Sequence, residues 1–150
     1  MFKNGNGSKK YIERESREAR MLADAQQKVL NSTQWITADQ LSTFAASTGL
    51  NPSTSPNEWV PKGVIFSICN EETELFPMYA LNPMVGYGLA KELVNIIEVF
   101  RERKDGWGMV YWFGNSSGFL GGRRPQDLLN KDPEAVLAAV KDEVMGITHG

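Results

Sequence analysis

One cysteine, Cys69, and one histidine, His149, are all that this 150-residue chain offers for thiol or imidazole chemistry. Covalent catalysis needs a nucleophile held against a base, and proton transfer needs a side chain fixed within hydrogen-bond reach of its target. Cys69 closes the apolar run Val64-Ile65-Phe66-Ser67-Ile68-Cys69, with no histidine near it in sequence, and reads as a buried, inert thiol. His149 stands beside the last residue given, where a fixed catalytic geometry is hard to maintain. One cysteine and one histidine make neither a disulfide nor a thiolate zinc set. Phe119-Leu120-Gly121-Gly122-Arg123-Arg124 suggests an anion-binding loop, but it lacks the lysine and spacing of a phosphate-binding P-loop and reads as a turn before a proline-started helix. No catalytic residues, no metal and no cofactor are expected, and the chain is read as a binding protein.

Charge narrows the class of partner. Sixteen Lys and Arg against eighteen Asp and Glu give a formal net charge of −2, which argues against a chain built to coat nucleic acid or an anionic membrane. With 41% hydrophobic and 23% charged residues the composition is that of an ordinary globular domain. There is no apolar signal segment after MFKNGNGSKKY, and the longest apolar stretches are far too short for a bilayer, so a soluble, cytoplasmic protein is expected.

The elements that must position these residues follow from local signals. Residues 1–35 read as a mobile tail followed by a helix from Glu13, whose thin apolar stripe is Ala19, Leu22, Ala23, Gln26, Val29 and Leu30. Residues 36–82 read as a winged-helix-like unit. Thr37-Ala38-Asp39-Gln40 is a capping box, and Leu41, Phe44 and Ala45 follow it as a buried stripe with Gly49 placed to end the helix. Ser55-Pro56-Asn57-Glu58 is a second box, cut short by Pro61. Val64–Cys69 and Leu75–Tyr79 then form a hairpin around Asn70-Glu71-Glu72, with Pro77 requiring a free edge or a bulge. A helix-turn-helix with a wing invites a DNA reading. Between Thr37 and Asn82, however, Lys62 is the only cation against Asp39, Glu58, Glu71, Glu72 and Glu74, and phosphate contacts supply most non-specific DNA affinity.

Residues 83–150 read as a helical module. Leu89, Leu93, Ile96, Ile97 and Phe100 mark an amphipathic helix with more apolar surface than a small core absorbs, which, with the N-terminal helix, predicts a homo-oligomer. Trp107–Phe113 is ambiguous, since aromatic and β-branched content favours strand and the run is too short for periodicity to decide. Pro125 opens a short helix. Asp132-Pro133 caps a longer one with the stripe Val136, Ala139, Val140 and Val144, which Gly146 is placed to end, leaving a short exposed tail.

Trp112-Phe113, a polar loop, and Leu120-Gly121-Gly122-Arg123-Arg124-Pro125-Gln126-Asp127-Leu128-Leu129 resemble the signature of the toxin-binding domain in Xre/MbcA/ParS-type antitoxins. The following helix from Asp132 and the closing Ile147-Thr148-His149-Gly150 are similar to that signature as well. The resemblance covers roughly the last forty residues, and the hairpin is similar to a subgroup with a preceding winged-helix-like unit. It implies that Trp107–Phe113 is helical. It also implies a cognate toxin as partner, commonly a RES-domain enzyme that consumes NAD, with the antitoxin's C-terminal end at its active site. The toxin-binding residues it implies are Leu120, Gly121, Gly122, Arg123, Arg124 and Pro125, together with Ile147, Thr148, His149 and Gly150 as an occluding tail. Leu128 and Leu129 are read physically as core, and Gly121-Gly122 as a turn needing positive φ or a close backbone approach.

The expected protein is therefore α+β and mainly helical, an antitoxin that occludes a RES-type toxin. A transcriptional regulator using the helix pair, and an adaptor for some other partner, are the alternatives.

Overall fold

Reciprocal hydrogen bonds at Thr37 and Gln40 set the start of the first helix in the body of the molecule. The Thr37 amide donates to Gln40 Oε1 at 2.9 Å and the Gln40 amide donates to Thr37 Oγ1 at 3.3 Å, so the expected capping box is formed. The computed structural model describes the backbone of residues 5–48, 56–86 and 88–149, and the side chains of 13–44, 58–84, 86 and 88–146. The described chain is α+β and mainly helical. It divides into two compact units, residues 1–32 and 33–150.

The first unit is the helix α1, Gly5–Asn31. It begins well before Glu13, so the backbone of residues 5–10 is helical where a tail was expected. Once Glu13–Asn31 is helical, adding a residue fixes one φ/ψ pair for each new hydrogen bond, which is far less costly than nucleation, and even Gly5 and Gly7 are incorporated. Its stripe is largely in water: Ala19, Leu22 and Ala23 are exposed, and burial begins only at Gln26, Val29 and Leu30.

The second unit opens with β1, Trp35–Thr37, a strand the sequence reading missed, followed by α2, Ala38–Thr48, and the single turn α3, Pro56–Trp59. Leu41 on α2 is fully buried. Ser55 and Gly49 lie outside the described residues. Then come β2, Ile68–Asn70, and β3, Thr73–Pro77, in an antiparallel sheet of order β1-β3-β2. The expected strand over Val64–Cys69 is corrected to Ile68–Asn70, because Val64–Ser67 is irregular backbone that buries Ile65 and Phe66 individually. Asn70 pairs with Thr73, leaving Glu71 and Glu72 as a two-residue turn with φ of 50° and 67°. Positive φ at both central positions is the hairpin turn whose twist suits the strands, although Glu is an uncommon occupant.

Pro77 is on the central strand, not at a sheet edge. The Met78 amide donates to Gln34 O at 2.9 Å on the β1 side, so the adjacent Pro77 nitrogen faces the other way, beyond the end of β2 at Ile68. No ladder bond is lost there. A second, two-stranded ribbon pairs β4, Leu81–Asn82, with β5, Gly88–Leu89. Leu89 therefore belongs to a strand, and the amphipathic helix α4 runs only over Leu93–Phe100. Its Leu93, Ile96, Ile97 and Phe100 are all buried within the chain, which removes the reason to expect oligomerisation through this helix.

Trp107–Phe113 lies in α5, Gly106–Gly114, as the resemblance implied and against its strand propensity. Asp105 caps it, accepting the Gly108 amide at 2.8 Å. Gly106 permits the docking: a β-carbon there would overlap the Ser67 carbonyl oxygen. Phe113 stacks on Tyr79 at 5.2 Å and on Phe66 at 5.5 Å, and Asn130 Nδ2 donates to Tyr79 O and Leu81 O at 3.0 and 3.1 Å. These contacts cross the boundary drawn at residue 82, so the segments on either side share one core.

The chain ends in α6, Pro125–Leu128, and α7, Pro133–His149. Asp132 Oδ1 accepts the Ala135 amide at 3.2 Å, and Val136, Ala139 and Val140 are buried as the stripe predicted. Gly146 does not stop α7. It lacks the positive φ of a helix-ending glycine, and an interior glycine costs only about 1 kcal/mol relative to Ala.

Candidate functional site

Between α5 and α6 the chain makes a knot of tight turns over residues 115–124. The Ser117 amide donates to Arg123 O at 3.0 Å and the Gly122 amide returns to Ser117 O at 2.8 Å, closing a loop of six residues. Gly121 and Gly122, with φ of 69° and 86°, make the reversal possible. Nothing lies within 4 Å of a β-carbon built at either, so conformation rather than space demands glycine there.

This loop sorts the motif into anchors and display. Leu120, Pro125, Leu128 and Leu129 are buried, fastening both ends of the loop to the core. Phe119, Gly121, Gly122 and Arg123 face solvent, Phe119 with 54% of its surface exposed. Leu120 and Pro125, expected among the toxin contacts, are thus placed as supports. The Arg124 guanidinium holds a partner within the chain: Nε and Nη2 donate to Asp127 Oδ2 and Oδ1 at 2.8 and 3.1 Å, a forked pair one helical turn apart. Arg123 is the exposed cation of the pair.

Ile147, Thr148 and His149 continue the backbone of α7, so the expected exposed tail is helix as far as His149; their side chains and Gly150 lie outside the described residues. Cys69 is a correction of another kind. It is exposed, not buried, because the strand alternation turns Ile68 inward and Cys69 out, opposite Glu74. Among the described residues no group of three or more His, Cys, Asp or Glu is placed to hold a metal, and no helix is long and apolar enough to cross a membrane.

Sequence reasoning missed the concavity beside the loop. Side chains of α5, the loop and α7 line a cleft of about 470 Å³, including Tyr111, Trp112, Phe119, Asp142 and Glu143. These positions are spread over more than thirty residues of sequence, and only Phe119, a large apolar residue after Asn115-Ser116-Ser117-Gly118, carried a local signal. A second, more apolar groove of about 530 Å³ lies between β1 and α2, walled by Trp35, Ile36 and Phe44. No family model matches the sequence, and neither a curated protein nor a solved structure matches it.

Proposed function

We propose that the chain is an antitoxin that binds and neutralises a NAD-consuming RES-type toxin, acting as a binding protein and not as a catalyst. The observation that carries this reading is the 115–124 loop, where two positive-φ glycines hold Phe119 and Arg123 out from a buried Leu120, Pro125, Leu128 and Leu129 frame. An exposed aromatic and an exposed arginine on one turn are the composition of a protein–protein hot spot, and a turn closed by its own hydrogen bonds has less backbone entropy to lose on docking. The resemblance of Leu120–Leu129 to the antitoxin signature supplies the class of partner. Copies of the chain associate through α1, whose Met21 and Leu22 are 65% and 54% exposed. Co-expression with the product of the neighbouring reading frame, which this reading expects to be a RES-type enzyme, tests it. The two should co-purify and growth should be restored, whereas an untouched toxin would overturn it.

Regulation of transcription is the second reading, supported by the element order β1-α2-α3-β2-β3 and the sheet order β1-β3-β2, which suit the expected winged-helix-like unit. Its wing tip carries Glu71 and Glu72 where a phosphate-facing wing needs cations. A specific shift of the chain's own upstream DNA at moderate salt would support this reading; its absence would remove it.

A further inference from the structure

We infer that the cleft between α5 and α7 is a receptor for an arginine side chain of the protein partner. The inference rests on the proposed docking at the 115–124 loop and adds a second, chemically distinct anchor next to it. Phe119 is shared by both, standing exposed on the loop and lining the cleft.

Three features of the cleft select a planar cation. Its walls carry negative charge from Asp142 and Glu143 on α7. Asn115 and Ser116, which follow the C-terminus of α5 at Gly114, are part of the lining, and the last carbonyls of a helix carry partial negative charge. Aromatic surface is supplied by Tyr111, Trp112 and Phe119, and a guanidinium stacks on such rings better than a strongly hydrated ammonium does. The one cation in the lining is Lys104. Its Nζ lies 3.8 Å from Glu143 Oε1 and 5.7 Å over the Phe100 ring, so it offsets Glu143 and leaves the Asp142 carboxylate available. An anionic guest would meet two carboxylates and a helix C-terminus, and an aliphatic one would leave those groups desolvated.

N-acetyl-arginine-methylamide added to the full chain tests this without any toxin. It should shift the Trp112 indole N–H resonance with a midpoint on the order of a few millimolar. The lysine analogue should bind more weakly and the glutamate analogue not at all. Asp142→Asn and Phe119→Ala, both at exposed positions, should each weaken the arginine probe roughly two- to fivefold. Equal shifts with all three probes, no shift up to tens of millimolar, or undiminished binding by Asp142→Asn would each overturn the inference. Because the probe is a small molecule, failure of the chain to bind a toxin would leave its result unchanged, and the two proposals fall separately.

Discussion

Tyr79 carries its hydroxyl into the core without a hydrogen-bond partner, while its ring stacks on Phe113 and its carbonyl is held by Asn130. Burial raises its phenol well above the ordinary value of 10.0. An unpaired buried hydroxyl costs free energy that a phenyl ring does not, so Tyr79→Phe should stabilise the fold by about 1 kcal/mol in urea unfolding. A loss of that size would show that the hydroxyl is satisfied in solution. A raised native pKa favours the folded state while the phenol stays protonated, and that contribution is lost as pH rises above 10, so the variant should resist alkaline unfolding better than the parent. Gly122 makes the opposite case. With φ of 86° and open space around it, Gly122→Ala should cost about 1–2 kcal/mol through backbone conformation alone. Thermal unfolding monitored by circular dichroism would check it, and an unchanged midpoint would mean that the loop can reverse some other way. That glycine pair was legible in the sequence because a positive-φ requirement is local. The exposure of Cys69 was not, because it depends on which face of a short strand meets the core.

Helices α4 and α7 pack side by side, and an ion pair joins them near their starts. Lys91 Nζ lies 2.8 Å from Glu134 Oε1, both side chains well exposed. The hydrogen bond and the opposite charge raise the lysine's pKa and lower that of the carboxyl. A carboxyl with a depressed native pKa adds stability above its unfolded value and loses it as pH falls through the folded one; the raised lysine does so at the alkaline end. The bridge should therefore act between those limits. The difference in melting temperature between the parent and Lys91→Ala should be small at neutral pH, vanish below the carboxylate range and shrink with salt. A difference that persists in acid would mean that Lys91 acts through packing. Elements whose starts rest on side-chain caps at Thr37 and Asp132 were readable from sequence. The two-residue strands β4 and β5 were not, since each contributes a single pair on which no periodicity can act. The helix over Trp107–Phe113 was out of reach of propensity. Its side chains are chosen by the Phe66–Tyr79–Phe113 stack, a tertiary demand that overrides the local preference for strand.

Residues 33–150 form a compact unit on their own account, with the hairpin segment, the aromatic stack and α4–α7 sharing one core. Removing residues 1–32 should leave cooperative unfolding and the near-ultraviolet signal of the buried aromatics intact, while sedimentation should show a lower association state than that of the full chain. Loss of cooperativity would mean that α1 is part of the core, and an unchanged association state would rule α1 out as the contact between copies. At this scale the sequence was informative about class and poor about surface. Composition and caps pointed to a mainly helical α+β domain, but the face that presents Phe119 at the Asp142 cleft exists only once α5, the 115–124 loop and α7 are brought together. The claim that this face neutralises a toxin is tested most directly by NAD consumption. A RES-type enzyme encoded beside this chain should be inhibited stoichiometrically by the full chain, and at least about tenfold less effectively by Arg123→Glu or Phe119→Ala, variants that leave the buried anchors untouched. Unimpeded NAD consumption, or equal inhibition by the parent and both variants, would contradict the account.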